Sequence, residues 1–561
     1  MERAFNFDAP GKGTWEMDAV HCPRPLSGLL LDMFAPALSG GMRDACERYG
    51  LLLDTLDVRY VHGFPYVQPR GLGAPEGAKP PPRWVFKLAT WLHPALRRRL
   101  RTASTVFERR PWLEELADWD TRVRSETVAA HRALWAQDPS SMSDEQLGAH
   151  ITKVLDHAIR MGTQDHSYNL TYMIPLGDFI VHAQRWTETS VVDLLKLFRG
   201  SSDISGGDSD ERKRLVRAIR EDATALAIVR DVEDPAEVLR RLAGCPGSVG
   251  SATEEFLVIF GNGPSHGLDI TIATAAEEPS SLVAALRRSV EAVDRETNGV
   301  KSLLASVRGQ VAQEHLSMFD ELYADAKLVY RLRDERHLYG ALPTCGIARR
   351  AVLEVGRRLV GRGDLPRPEL ALHARCEELK AMLAEAPTID ELELERRAEA
   401  REQLHARDIP LVLGGEPAPP PPSDWMPAGG ARRMTEALGV FFAHSEHAFS
   451  EKPTATAIDG LAVSSGTVEG TARVCEDTVD LARIEPGDIL VASTTTPAIN
   501  LVLPLLGGIV TDRGGALCHA AIVTREFGIP GVVGTRVATQ RIGEGARIRV
   551  DGNSGRVTVL A

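Results

Sequence analysis

Residues 511–535 read TDRGGALCHAAIVTREFGIPGVVGT, with Gly508-Ile509-Val510 immediately before them. A short apolar run bounded by turn residues predicts a buried strand. Gly514 and Gly515 then let the backbone bend sharply at the strand's C-terminal end. Ala520–Phe527 follows as a helix, which Gly528 closes and Pro530 seals. This order of strand, glycine turn and helix places His519 at the helix N-terminus.

The same alternation continues on both sides. Thr467–Val474 reads as a strand, and Pro486-Gly487-Asp488 is a turn into the strand Ile489–Ala492. Val532-Val533, Arg547–Val550 and Arg556–Leu560 are further strands, with a turn at Asp551-Gly552-Asn553. Residues 457–561 are therefore expected to form a compact α/β domain with one or two helices.

Upstream the pattern is helical. Ser143-Asp144-Glu145-Gln146 is a capping box, after which Leu147, Ile151, Val154/Leu155 and Ala158 recur on one face. Similar stripes run through 281–293, 314–330 and 347–359. A last charged helix from Thr388 to about Asp408 has only Leu392, Leu394 and Leu404 to pack. Residues 1–83 read as irregular, with one helical block near 26–47. The whole is expected to be multidomain, with a large, mostly α body over residues 1–410. Residues 411–456 follow as a proline-rich linker and a helix starting near Ala431, because consecutive prolines remove the N–H donors of helix and sheet.

Composition narrows the function classes. The 561 residues are 43% hydrophobic and 25% charged, which fits several globular domains. A net charge of -12 argues against a nucleic-acid partner, whose affinity rests on neutralising phosphates. Ile499–Val510 is the longest nearly apolar run, too short for a membrane span, and Met1–Phe7 lacks an export signal. The 7 cysteines show no CxxC or zinc spacing, so no metal is expected and the chain reads as cytoplasmic.

The chemistry gathers at His519. Free N–H groups and the dipole at a helix N-terminus stabilise an anion. A neutral imidazole so placed can accept a phosphoryl group, and burial would depress its pKa and keep it nucleophilic. On these residues alone, a helix cap or a core histidine is the alternative.

The stretch 511–535, together with EPGDILVASTTTPAINLVLPLLGGIVTDRGG (485–515) and VDGNSGRVTVL (550–560), closely resembles the phosphohistidine swivelling domain of dikinase-type, PEP-utilising enzymes. The resemblance implies that His519 is transiently phosphorylated. It implies that Thr511, Gly514 and Gly515 shape its loop and that Arg525 supports phosphate. Cys518 replaces the usual Ser or Thr before the histidine and is a weaker hydrogen-bond donor. WEMDAVHCPRPLSGL (15–29), FLVIFGNGPSHGLDITIATAAEEP (256–279) and YRLRDERHLYGAL (330–342) resemble the substrate-binding domain of the rifampin phosphotransferase family. That family's order is ATP-grasp, helical and histidine domains, and no ATP-grasp pattern precedes Trp15. The implied arrangement is split, as in phenylphosphate synthase. ATP and Mg²⁺ would sit on a separate ATP-grasp subunit, with His519 carrying the phosphoryl group to a small hydroxylated acceptor. The net outcome could then be a phosphate ester, a dehydration or a condensation. The alternative is a binding or regulatory module that kept the fold and lost the reaction.

Acceptor chemistry needs groups that take a proton and neutralise a moving phosphoryl charge. Arg333, Asp334 and His337 fit, since i and i+4 on a helix share a face; a solvated charged helix is the competing reading. His21, in the Pro-flanked turn Asp18–Pro23, is a candidate substrate contact or simply a turn residue. His150 and His157 are expected in the core, and His444 and His447 on a surface helix.

Overall fold

The computed structural model describes the chain except residues 1–4, 19–21, 205–208, 266, 292–297, 407, 418, 446–457, 476–482, 496–498, 500–501 and 561. His21 and His447 lie outside the described residues.

The short apolar runs near the C-terminus assemble into one eight-stranded sheet. Its order is Ile458–Asp459, Arg556–Val559, Arg547–Asp551, Thr467–Cys475, Ile489–Ala492, Gly508–Thr511, Gly531–Val533 and Leu461–Ser464. The four strands from Thr467–Cys475 to Gly531–Val533 are parallel, and the flanking pairs are antiparallel. Ile489–Ala492 and Gly508–Thr511 lie at the centre, buried along their whole length. Continuous apolar runs without alternation are what strands covered on both faces require. One face packs Leu490 and Ile509 against Ala521 and Val523 of the helix His519–Phe527. The other packs Ile489, Val491 and Val510 against Ala538, Ile542 and Ile548. Gly528 closes the histidine helix at φ +65°, its N–H returning to the Arg525 and Thr524 carbonyls.

The rest is mostly helical, and the predicted capping box is present. Ser143 accepts from the Gln146 N–H while the Gln146 side chain accepts from Ser143, opening a helix over Asp144–Ser167. His150 and His157 are buried on it. In the charged helix Glu391–Gln403 the packing residues are Leu394 and Ala398, one turn apart, whereas Leu392 is 60% exposed. Two positions of offset turn Leu392 to the far side of the helix.

Two expectations are corrected. Residues 1–83 are not irregular apart from one helix, because Leu53–Val61 and Phe64–Gly71 form an antiparallel hairpin. Its turn is His62-Gly63, both with positive φ (50° and 81°), the backbone that two-residue hairpins favour. The proline-rich run also does not join the two bodies. At its start, Val412–Leu413 pairs with Trp15–Met17 in the hairpin's sheet. Beyond it, the helix Gly430–Ser445 buries Ala431, Met434, Leu438 and Phe441 in the helical body's core. Arg433 of this helix is paired with Asp178, and Arg185 of the helical body with Glu436. Both ends of the run are thus anchored in the same body, and the passage to the sheet domain is residues 446–457. Among the described residues, no helix is long and apolar enough to cross a membrane.

Candidate active site

The parallel register builds the site. Ala492 lies opposite Thr511, so the loops after both strands leave the same edge of the sheet. The N–H groups of Asp512 and Arg513 extend the ladder to the carbonyls of Ala492 and Ser493. One loop ends at His519, the first residue of its helix, and the other carries Thr495. The Thr495 hydroxyl lies 2.9 Å from His519 Nδ1. This is the carboxyl edge of a parallel sheet, where ligands of α/β folds bind.

Each loop residue singled out in the sequence has a visible task. Thr511, fully buried, donates its hydroxyl to the Arg513 carbonyl at 2.7 Å and fixes the bend. Gly514 has φ +112°, and a Cβ there would meet Cys518 Sγ at 2.5 Å. Gly515 lies against the end of the helix Gly430–Ser445, and a Cβ would run into the His444 carbonyl oxygen. The N–H groups of Gly515 and Leu517 donate to the carbonyls of Ser445 and His444, acceptors left open at that helix terminus. Cys518 is the N-cap, and burial pushes its thiol pKa up. Arg525 is buried and donates to the Ala516 carbonyl at 2.8 Å, tying the helix back onto the loop.

The loop enters the helical body. Ala516 and Leu517 are buried in the same apolar cluster as Tyr172, Tyr330, Leu338 and Phe441. His519 beside them is half-buried and faces the segment from Tyr330 to His337. Burial, then the positive charge of Arg333, opposed by Asp334 and reinforced by His337, lowers its pKa from 6.5 to about 3. The ring is therefore neutral at physiological pH.

The structure brings Arg333, Asp334 and His337 to His519, and none belongs to a solvated face. Arg333 and Asp334 are 12% and 10% exposed and paired at 2.6 Å. Arg333 also lies over the Tyr330 ring and donates to its hydroxyl. Asp334 accepts a second bond, from Ser202 at 2.7 Å. His337 Nδ1 lies 3.3 Å from Asp165 Oδ2, and Asp165 is held in turn by Arg336 at 2.7 Å. Burial raises the Asp165 pKa, but Arg336 and His337 outweigh it and keep the group well below the usual carboxylate range.

Thr495, Asp165 and Ser202 were missed in the sequence. Thr495 had a readable signal, since Ser493-Thr494-Thr495-Thr496-Pro497 follows a strand parallel to the one that leads to His519. Asp165 and Ser202 had none, because they reach the site only through packing of distant helices. An apolar cavity lined by Leu29, Met33, Ile270 and Cys345 lies in the helical body but encloses only about 10 Å³, room for no more than a water. Among the described residues, no group of three or more His, Cys, Asp or Glu side chains is placed to hold a metal ion.

Residues 484–555 match the family described as PEP-utilising enzyme, mobile domain. An uncharacterized phosphotransferase, YvkC, of Bacillus subtilis is 31% identical over 243 residues, 43% of this chain and 27% of that protein. A rifampicin phosphotransferase of Streptomyces sviceus is 29% identical over 363 residues, 61% of this chain and 38% of that protein. A probable phosphoenolpyruvate synthase of Archaeoglobus fulgidus is 44% identical over 100 residues, 18% of this chain and 13% of that protein. The chain spans less than two-fifths of the length of each of these relatives.

Proposed function

We propose that this chain, whose C-terminal region is a mobile domain of the PEP-utilising enzymes, is the carrier and acceptor part of a phosphohistidine-dependent phosphotransferase. One observation carries the reading: His519 on the mobile domain meets the half-buried Arg333, Asp334 and His337 of another body. In this reading His519 Nδ1–H donates to Thr495 Oγ1, which presents the Nε2 lone pair for phosphorylation. The phosphoryl group comes from ATP, held with Mg²⁺ on a separate ATP-grasp subunit.

At the helical body the acceptor is the hydroxyl of a small molecule. Its oxygen attacks phosphorus as the P–Nε2 bond breaks, and the hydroxyl proton passes to His337 Nε2. Asp165 holds the opposite nitrogen of His337 in its protonated form. Arg333, kept in place by Asp334 and Tyr330, neutralises the phosphoryl oxygens in transit. Whether the phosphate stays as an ester or leaves in a dehydration or condensation is set by the acceptor.

The test is labelling with [γ-³²P]ATP and a separate ATP-grasp protein. The chain is expected to take up acid-labile, base-stable label, and His519→Ala to take up none. Equal labelling of His519→Ala would falsify the assignment.

A further inference from the structure

Where the mobile domain rests on the helical body, the two enclose a cleft of about 310 Å³ whose lining does not include His519. The helical body contributes Lys196 and Arg199 on one side and Val300 and Leu303 on another. The mobile domain contributes Arg525, Ser464 and Ser465. Three cations with two hydroxyls and an apolar wall do not resemble an accidental gap.

Arg525 makes the stronger argument. It is 5% exposed, and its Nη1 has no hydrogen-bond partner. Burial and the nearby Arg333 weigh against its charge, and the Tyr330 hydroxyl supports it. A buried guanidinium N–H left without an acceptor is costly, and an anion in the cleft would remove that cost. Lys196 Nζ is 2.8 Å from Asp193 Oδ1 within its own helix and 3.0 Å from Ser465 Oγ across the junction, and Arg199 Nε donates to the Glu526 carbonyl, so both cations are held at the junction.

We infer that this cleft binds a small phosphomonoester, its phosphate on Arg525, Lys196 and Arg199 and its apolar part on Val300 and Leu303. Its volume suits a small ligand and exceeds what a bare phosphate fills. Because the cations come from both bodies, the occupant binds only the docked arrangement and holds the mobile domain down. Ester binding stands independently of the proposed function. Only the consequence rests on that reading: a phosphorylated product lodged here would slow the next cycle.

Benzyl phosphate and inorganic phosphate, titrated calorimetrically into the full chain at fixed ionic strength, test this. Benzyl phosphate should bind saturably and more tightly than inorganic phosphate. The double variant Lys196→Ala/Arg199→Ala should weaken it roughly tenfold or more, as expected for lost charge-assisted bonds. His519→Ala should bind it unchanged, and since that variant cannot be phosphorylated, failure of the phosphotransfer reading would not touch this result. Absence of binding, or binding lost in His519→Ala and kept in the double variant, overturns the site. Equal affinity for the two ligands makes the occupant free phosphate and overturns the ester.

Discussion

At the scale of single residues, the decisive property is an imidazole that stays neutral. Free histidine loses its nucleophilic form as pH falls through 6.5, whereas His519 keeps it down to about 3. Between those values the unfolded chain binds a proton that the folded one refuses. The group's contribution to stability is therefore full above pH 6.5 and is lost as pH falls toward 3. Phosphorylation of the chain by phosphoramidate, measured against N-acetylhistidine under the same conditions, should gain roughly tenfold for His519 at about pH 5.5 relative to pH 8. A constant ratio across that range would show an ordinary imidazole. Depression of this pKa by burial was legible in the sequence. That Arg333 lies close enough to add to it was not, because no periodicity links residues so far apart in the chain.

At the scale of elements, the histidine loop and the end of the helix Gly430–Ser445 form one unit through two backbone hydrogen bonds. Gly515→Ala would push a methyl group into the His444 carbonyl, where backbone rather than a flexible side chain must move. Overpacking of this kind costs about 1–3 kcal/mol. Its expected readout is a mobile domain that still folds but takes up label more slowly and leaves the helical body more readily. An unchanged labelling rate with unchanged thermal unfolding would place the loop elsewhere. The strands around this unit were readable because each is a short apolar run closed by Gly, Pro, Asp or Asn. The hairpin Leu53–Gly71 was passed over although Leu56, Val58 and Tyr60 alternate with Asp57 and Arg59 as a half-buried strand requires, because the surrounding Gly and Pro residues read as irregular.

At the scale of the molecule, the question is what holds two bodies together and lets them part. Gly200 N–H donates to Glu526 Oε2 at 2.7 Å across their junction. Burial raises the Glu526 pKa to about 7, against the backbone bond from Gly200 and the charges of Arg333 and Arg199, with Asp334 adding to the rise. A carboxyl raised on docking binds more protons in the docked state between its free value of 4.5 and about 7. Docking is thus favoured at low pH, and this contribution fades as pH rises through 7. His519, whose pKa the same contacts lower, works in the opposite direction below 6.5 in both proteins, so the readout is the difference between them. Small-angle scattering should show the wild type more compact than Glu526→Gln at about pH 6 and indistinguishable from it at about pH 8. Profiles that coincide throughout would remove Glu526 from the junction's energetics.

Because the proline run is fastened at both ends to the helical body, it contributes nothing to the tether. What remains after Ser445 is the twelve residues 446–457. Whatever path they take, the thirteen steps from Ser445 to Ile458 cannot exceed about 47 Å. That length defines a sphere centred on Ser445 within which Ile458 must lie, so under the proposed function a donor would have to present its nucleotide inside it, allowing for the sheet domain's own width.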